Sequence, residues 1–571
     1  MLGSATIHKP RRFVSWLLSM LVAGCINHSC AHSEPPTLIR FGDATEQSGI
    51  TFRHVDGSSG KHYLIEAVAS GMVSFDYDLD GRIDLHFLNG AAIKGTSYPE
   101  PPINGTYRNQ GDFRFADVSR ASGLGDTGFG MGVAVGDYDN DGFPDVYLSN
   151  FGPNALYHNN GDGTFSPLAG QPVLACGNKV GGGASMLDID SDGDLDIYAA
   201  HYIKFNYDVP PSPTFRGRIV YGGPMFYPPE TDTLLRNNGD GSFDDISLES
   251  GIASEAEWGM GTICFDFDLD GDTDIMVAND STKNFLWEND GRGHFKDVAL
   301  ATGVAYDYRG DAKGNMGVDV ADFNGDLLPD IHVTAFTKQL VTLYENLGSG
   351  VYEDSTLRSG AGVKTFNMVN WGNAFADFDN DGDKDLFFAN GHIHDNMDDL
   401  DDTVSYKLLN QVFENLAGRK FADVSRNCGP GLALKESSRS IAVDDFDSDG
   451  HLDIAILNSR TLPSILRNQS IDKGHWVFIE LVGTRTNRSA VGSRVVIHCE
   501  KKSQMLEVHS GRSYQSHFGS RLHFGLADAS KIDRIDVHWH GGAVESHTEV
   551  AANTRVLIRQ GLPIVRLEPT P

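Results

Sequence analysis

The chain has 571 residues, 40% of them hydrophobic and 22% charged, with 64 Gly and 22 Pro. That is a soluble globular composition, and without a triplet period it excludes collagen and a disordered linker protein. Acidic residues outnumber basic ones by 78 to 46 for a formal charge of -32, and no basic cluster interrupts the excess in the folded part, so no nucleic-acid partner is expected.

At the N-terminus Arg11 and Arg12 precede the apolar run Phe13 to Gly24, the pattern of a secretory signal and too short for a membrane span. Val22-Ala23-Gly24-Cys25 resembles a bacterial lipobox. Residues 1–24 are therefore read as a lipoprotein-type signal peptide and 25–39 as a tether, with any membrane attachment through lipid on Cys25. The Cys residues, at 25, 30, 176, 264, 428 and 499, form no CxxC pair, which removes a zinc ribbon or a redox dithiol; their pairing stays open.

From residue 40 to 470 one acidic pattern recurs seven times. It runs Asp76, Asp78, Asp80, Asp84; Asp137, Asp139, Asp141, Asp145; Asp188, Asp190, Asp192, Asp196; and Asp266, Asp268, Asp270, Asp274. The fifth copy is Asp322, Asn324, Asp326, Asp330, followed by Asp377, Asp379, Asp381, Asp385 and by Asp445, Asp447, Asp449, Asp453. First positions lie 61, 51, 78, 56, 55 and 68 residues apart, the period of a propeller blade. Short runs such as Met72–Phe75 before each loop and Ile83–Leu88 after it read as strands. A second signature, Asn159 to Phe165 and its relatives beginning at Asn109, Asn237, Asn289, Asn346 and Asn415, reads as a hairpin. The seventh unit stops at Asn468 without that hairpin, so Ile50 to His54 is expected to complete the last sheet. The predicted fold is all-β: a seven-bladed β-propeller over 40–470, closed so that no sheet edge is left bare, with a small C-terminal β-rich domain over 471–571.

The loop chemistry points to calcium. Four carboxylates within nine residues repel one another when empty, whereas Ca²⁺ takes six to eight oxygens from a flexible loop. Gly at position six permits the sharp turn. In the fifth copy Asn324 can ligate through its carbonyl while Leu327 stands at position six, so weaker binding is expected there. About seven structural Ca²⁺ ions would move the formal charge from -32 to -18 and couple metal binding to folding.

Two insertions break the period: His201 to Thr233, with Tyr221, Phe226 and Tyr227, and Asn390 to Tyr406, with His392, His394 and Asp395. Either can carry recognition. Beyond residue 471, strands are predicted at Val477–Leu481, Arg494–His498, around Val508, Ile535–Trp539 and Arg555–Ile558.

The seven units resemble FG-GAP/VCBS repeats. Asn487 to Val495, Gly511 to Ser516, Leu522 to Leu526 and Val537 to Gly542 resemble the ASPIC/UnbV domain, and the pair is similar to the cartilage acidic protein 1-like family. The resemblance implies an extracellular or cell-surface, calcium-binding protein without a defined molecular activity. Two departures stand out: Trp539-His540-Gly541-Gly542 replaces a Trp-Pro-x-Gly ending, and Gly222 stands where relatives carry a Cys. No nucleophile elbow, Walker loop, dinucleotide fingerprint or HExxH helix is present, and no catalytic residue is assigned. The expected function is an exported or cell-surface binding and adhesion-type protein, in the envelope or secreted, whose partner is a protein or a glycan. The alternatives are an accessory scaffold of an envelope complex, or a hydrolase or metal-dependent redox or biosynthetic enzyme acting around His392–Asp395.

Overall fold

The computed structural model describes residues 36–208, 213–400, 403–471, 474–500 and 502–567. The signal peptide, the lipobox and Cys30 lie outside the described residues. Among the described residues helices reach five residues at most, none is long and apolar enough to cross a membrane, and all four Cys are free thiols.

The protein is mostly all-β, with four-stranded antiparallel units repeating one plan. In the first, Met72–Phe75, Asp84–Phe87, Gly105–Asn109 and Phe115–Asp117 pair in chain order. The acidic loop joins the first two strands, and the Asn-Gly hairpin joins the last two. The opening strands of the seven units, Met72–Phe75, Phe129–Gly136, Gly181–Leu187, Gly259–Phe265, Lys313–Ala321, Asn370–Ala376 and Ser438–Asp444, are buried from end to end.

Neighbouring opening strands approach so closely that side chains are excluded between them. A Cβ on Gly132 would run into the Gly182 carbonyl, and one on Gly261, Gly317 or Gly372 into the carbonyls of Met316, Trp371 or Arg439. At the equivalent place in the seventh unit Ser440 Oγ donates to the Ser70 carbonyl beside the first unit. The Gly-rich strands follow from this contact rather than from turns alone.

The last sheet is completed differently from the expectation at Ile50–His54. Phe41–Asp43 pairs antiparallel with Ser464–Asn468. Phe41 is fully buried and meets Phe378 edge-on at 5.3 Å, which anchors that strand. Ile50–His54 forms no strand and packs on the first unit instead, with Phe52 stacked on Phe87 at 5.2 Å.

The C-terminal part holds two more four-stranded sheets. One places His475–Val482 between Leu522–Ala527 and Thr554–Arg559 and ends on Val565–Leu567. The other places Arg494–Cys499 between Lys502–Glu507 and Lys531–His538 and ends on Val544–Ala551. The strand expected around Val508 is Lys502–Glu507, and Val508 lies just past it. Both sheets share one apolar core with Ala134, Met186 and Leu195 of the second and third repeat units.

From this domain the segment His509–His517 reaches every opening strand. His509 Nδ1 lies 3.0 Å from the Cys264 carbonyl, and Ser510 Oγ donates to Val135 O at 2.6 Å and accepts from Met186 N. Arg512 Nε pairs with buried Asp319 at 2.7 Å, and Asn373 N donates to Ser513 Oγ at 2.9 Å. Ser440 Oγ lies 2.9 Å from Tyr514 O, and Ser516–His517 adds a short parallel strand to Met72–Val73.

Candidate metal sites

The seven acidic loops share one hydrogen-bond scheme. The first carboxylate accepts from the backbone N–H of position six: Asp76 from Gly81 at 2.9 Å, Asp137 from Gly142 at 2.8 Å, Asp188 from Gly193 at 3.1 Å and Asp266 from Gly271 at 3.1 Å. Asp322 accepts from Leu327 at 2.9 Å, Asp377 from Gly382 at 2.8 Å and Asp445 from Gly450 at 2.9 Å. The ninth-position Asp is buried and accepts from two backbone N–H groups. Asp145 takes Tyr138 N at 3.1 Å and Asn159 N at 2.8 Å; Asp84, Asp196, Asp274, Asp330, Asp385 and Asp453 do the same with their own loop and hairpin.

These carboxylates converge. One oxygen from each of Asp76, Asp78 and Asp84 lies within 4.8 Å of the others, as do those of Asp137, Asp139 and Asp141, of Asp188, Asp190 and Asp192, and of Asp266, Asp268 and Asp274. Several loop carboxylates also have a buried oxygen with no hydrogen-bond partner: Oδ1 of Asp76, Asp78, Asp188, Asp377 and Asp447. Buried polar atoms are normally satisfied, so the orphaned oxygens in the first, third, sixth and seventh loops fit a divalent cation. Protonation is the alternative, and the energetics say how strongly it competes. Burial pushes Asp145 up to about 9 and holds Asp84, Asp196, Asp274, Asp330, Asp385 and Asp453 well above the usual carboxylate range. Burial also lifts the first-position groups, Asp137 and Asp188 to about 7 and Asp76 to about 6. A bound dication removes that cost by supplying the missing charge.

The loops are not isolated. The hairpin Asn that feeds each ninth-position Asp also donates through Nδ2 to the position-two carbonyl of the preceding loop: Asn159 to Tyr77 O, Asn237 to Tyr138 O, Asn289 to Ile189 O and Asn346 to Phe267 O. Asn415 reaches Phe323 O, Asn468 reaches Phe378 O, and Asn109 reaches Phe446 O of the seventh loop. Sequence reading assigned this Asn to the hairpin turn. The clue to its second role was Asn468, retained where no hairpin forms.

Side chains outside the motif also enter. His158 Nδ1 lies 3.2 Å from Asp139 and 3.4 Å from Asp145. The C-terminal domain covers the loops with cations: Arg521 is 3.0 Å from Asp76, Arg494 is 3.7 Å from Asp266 and Lys502 is 2.6 Å from Asp383. His540, in place of the usual Pro, turns Nε2 to the Asp188 carbonyl at 3.1 Å.

The two insertions meet at the other ends of the opening strands. Tyr221 stacks on His394 with ring centroids 6.0 Å apart, and Tyr221 N donates to His394 Nδ1 at 3.3 Å. Arg460 joins Tyr221 Oη at 2.8 Å to Asp395 at 2.7 Å and also pairs with Asp56. Burial lowers His394 to about 4. Buried Glu66 lies 3.4 Å from Tyr221 Oη. Phe226 is exposed, whereas Tyr227 is buried. Glu66 and Arg460 carried no motif in the sequence, being scattered singly in unrelated segments.

Residues 483–563 match the ASPIC and UnbV family, and 76–148, 137–199, 266–333 and 322–388 match the FG-GAP-like repeat. The chain belongs with the FG-GAP and ASPIC/UnbV repeat proteins. Cartilage acidic protein 1 of Homo sapiens is 23% identical over 523 residues, covering 86% of this chain and 63% of that protein. The Mus musculus protein of the same name is 26% identical over 514 residues, covering 86% and 65%. This chain therefore spans less than two thirds of the length of either relative. A solved structure of an Agrocybe aegerita lectin covers 62% of this chain and 79% of its own at 17% identity, with a TM-score of 0.35.

Proposed function

We propose that the repeat units form a closed seven-bladed β-propeller over 40–470 whose acidic loops, Asp76 to Asp453, each hold a structural Ca²⁺. The 471–571 domain is its lid, and the whole is an exported binding or adhesion-type protein. The observation that carries the reading is the repeated loop chemistry, in which converging carboxylates with orphaned buried oxygens are stapled one loop to the next. Calcium is favoured over magnesium because the loops offer many oxygens without a small octahedral cage. Closure is supported by Asn109 reaching the seventh loop and by Phe41–Asp43 completing the last sheet. Export through the signal peptide 1–24, with lipid on Cys25, remains the reading of the N-terminus, and the partner is an extracellular or envelope protein or glycan.

Metal analysis of the purified chain with melting before and after chelation tests this. The expected outcome is about seven calcium per chain and a large loss of stability on chelation; absence of both overturns the reading. A second reading, an enzyme acting around His392–Asp395, draws on one observation: Arg460 joins Asp395 to Tyr221, whose Oη lies 3.4 Å from buried Glu66.

A further inference from the structure

A cavity of about 550 Å³ opens between the first two acidic loops and the C-terminal sheets. That is the volume of an ordinary small-molecule site. Apolar side chains line it from both sides: Phe75, Leu79 and Phe143 from the repeat units, and Leu481, Leu557 and Leu567 from the C-terminal domain. Set among them are four arginines. Arg488 and Arg559 stand exposed at the rim, and Arg521 and Arg555 are buried.

The buried pair is held rigidly. Arg555 Nη2 donates to Glu480 at 2.9 Å and its Nη1 to the Gly81 carbonyl at 3.0 Å. Arg521 lies 3.0 Å from Asp76 and 3.4 Å from Glu480. Arg555 lines the cavity, and its Nε is buried with no hydrogen-bond partner. Asp76, Asp80, Asp137 and Glu480 face the four arginines across the same space, so the lining is neutral as it stands. Cations in the first two loops would leave it positive. That part of the argument rests on the calcium reading; the arginines and the apolar walls do not.

We infer that this cavity binds a small amphipathic carboxylate, its anionic head on Arg555 and Arg521 and its apolar body against Leu481, Leu557 and Leu567. Decanoate is the probe, titrated calorimetrically into the full calcium-loaded chain, with 1-decanol and inorganic phosphate as comparators. One decanoate per chain is expected, bound more tightly than either comparator. Arg555→Gln should weaken it by about ten- to a hundredfold, the loss of a charge-assisted contact. Because Arg555 also pairs with Glu480, a second variant at the partly exposed rim, Leu567→Glu, should weaken decanoate with the melting temperature unchanged. Binding that weakens yet survives chelation supports the arginine site and measures the contribution of the metals, which metal analysis reports separately. Equal affinity for 1-decanol, equal affinity for phosphate, or no decanoate binding in any metal state overturns the proposal.

Discussion

Each acidic loop turns on two residues in the left-handed region, at positions four and six. Position four tolerates side chains because its φ stays within 57–65°, as at Leu79, Asn140, Leu269 and Asn380. Position six is more extreme where Gly stands: φ is 101° at Gly271 and 103° at Gly142. The fifth copy exchanges the two demands. Gly325 takes position four at φ 76°, and Leu327 takes position six at φ 66°, a value an L-residue reaches. Its loop keeps the same hydrogen bonds, so the departure seen in sequence changes composition and leaves conformation intact. A Cβ on Gly271 would meet no atom within 4 Å, which makes this position a clean measure of backbone strain. Gly271→Ala is expected to cost about 1–2 kcal/mol by denaturant unfolding, and Gly325→Ala less.

At the level of the repeat unit, the residue before the hairpin Asn faces the third position of its loop in the first, second and seventh units. Arg108 lies 2.7 Å from Asp78, and Arg467 lies 2.6 Å from Asp447. The fourth, fifth and sixth units carry Glu288, Glu345 and Glu414 there instead. A neighbouring cation stabilises the empty carboxylates and competes with a dication; a neighbouring Glu does the reverse. The loops are therefore predicted to fill in two groups, the glutamate-bearing units first. Arg467→Gln should raise the affinity of the seventh loop by up to about fivefold, read as a shift of the late phase of a calcium titration.

For the whole molecule, the His509–His517 segment is the element that joins every opening strand. Arg512 and Asp319 form its buried ion pair. Arg512→Met strands a buried carboxylate and should cost about 3–5 kcal/mol in a denaturant melt, far more than substitution of an exposed arginine such as Arg120. Burial, with Arg512 nearby, also lowers His509 and His517 to about 3. A histidine whose folded pKa lies below its unfolded value stabilises the fold above about 6.5, and that stability is lost as pH falls toward 3. In excess calcium, the urea midpoint should fall through that window, and His517→Asn should make the fall shallower.

The sequence by itself determined what is local and repeated. The seven loops, the strands such as Asp84–Phe87 and Asp145–Phe151, and the Asn-Gly hairpins follow from side-chain periodicity and turn chemistry, and repetition amplified a signal that one copy would carry weakly. Only the tertiary structure decided which distant segments meet. Phe41–Asp43 rather than Ile50–His54 completes the last sheet because burial of Phe41 against Phe378 selects it. Asn109 reaches Phe446, Gly511–Ser516 ends among the opening strands, and Glu66, Tyr221, Asp395 and Arg460 gather at one place. Such pairings leave no periodic trace in a chain, because they depend on how the ends of packed sheets face one another and on which polar groups must find partners there.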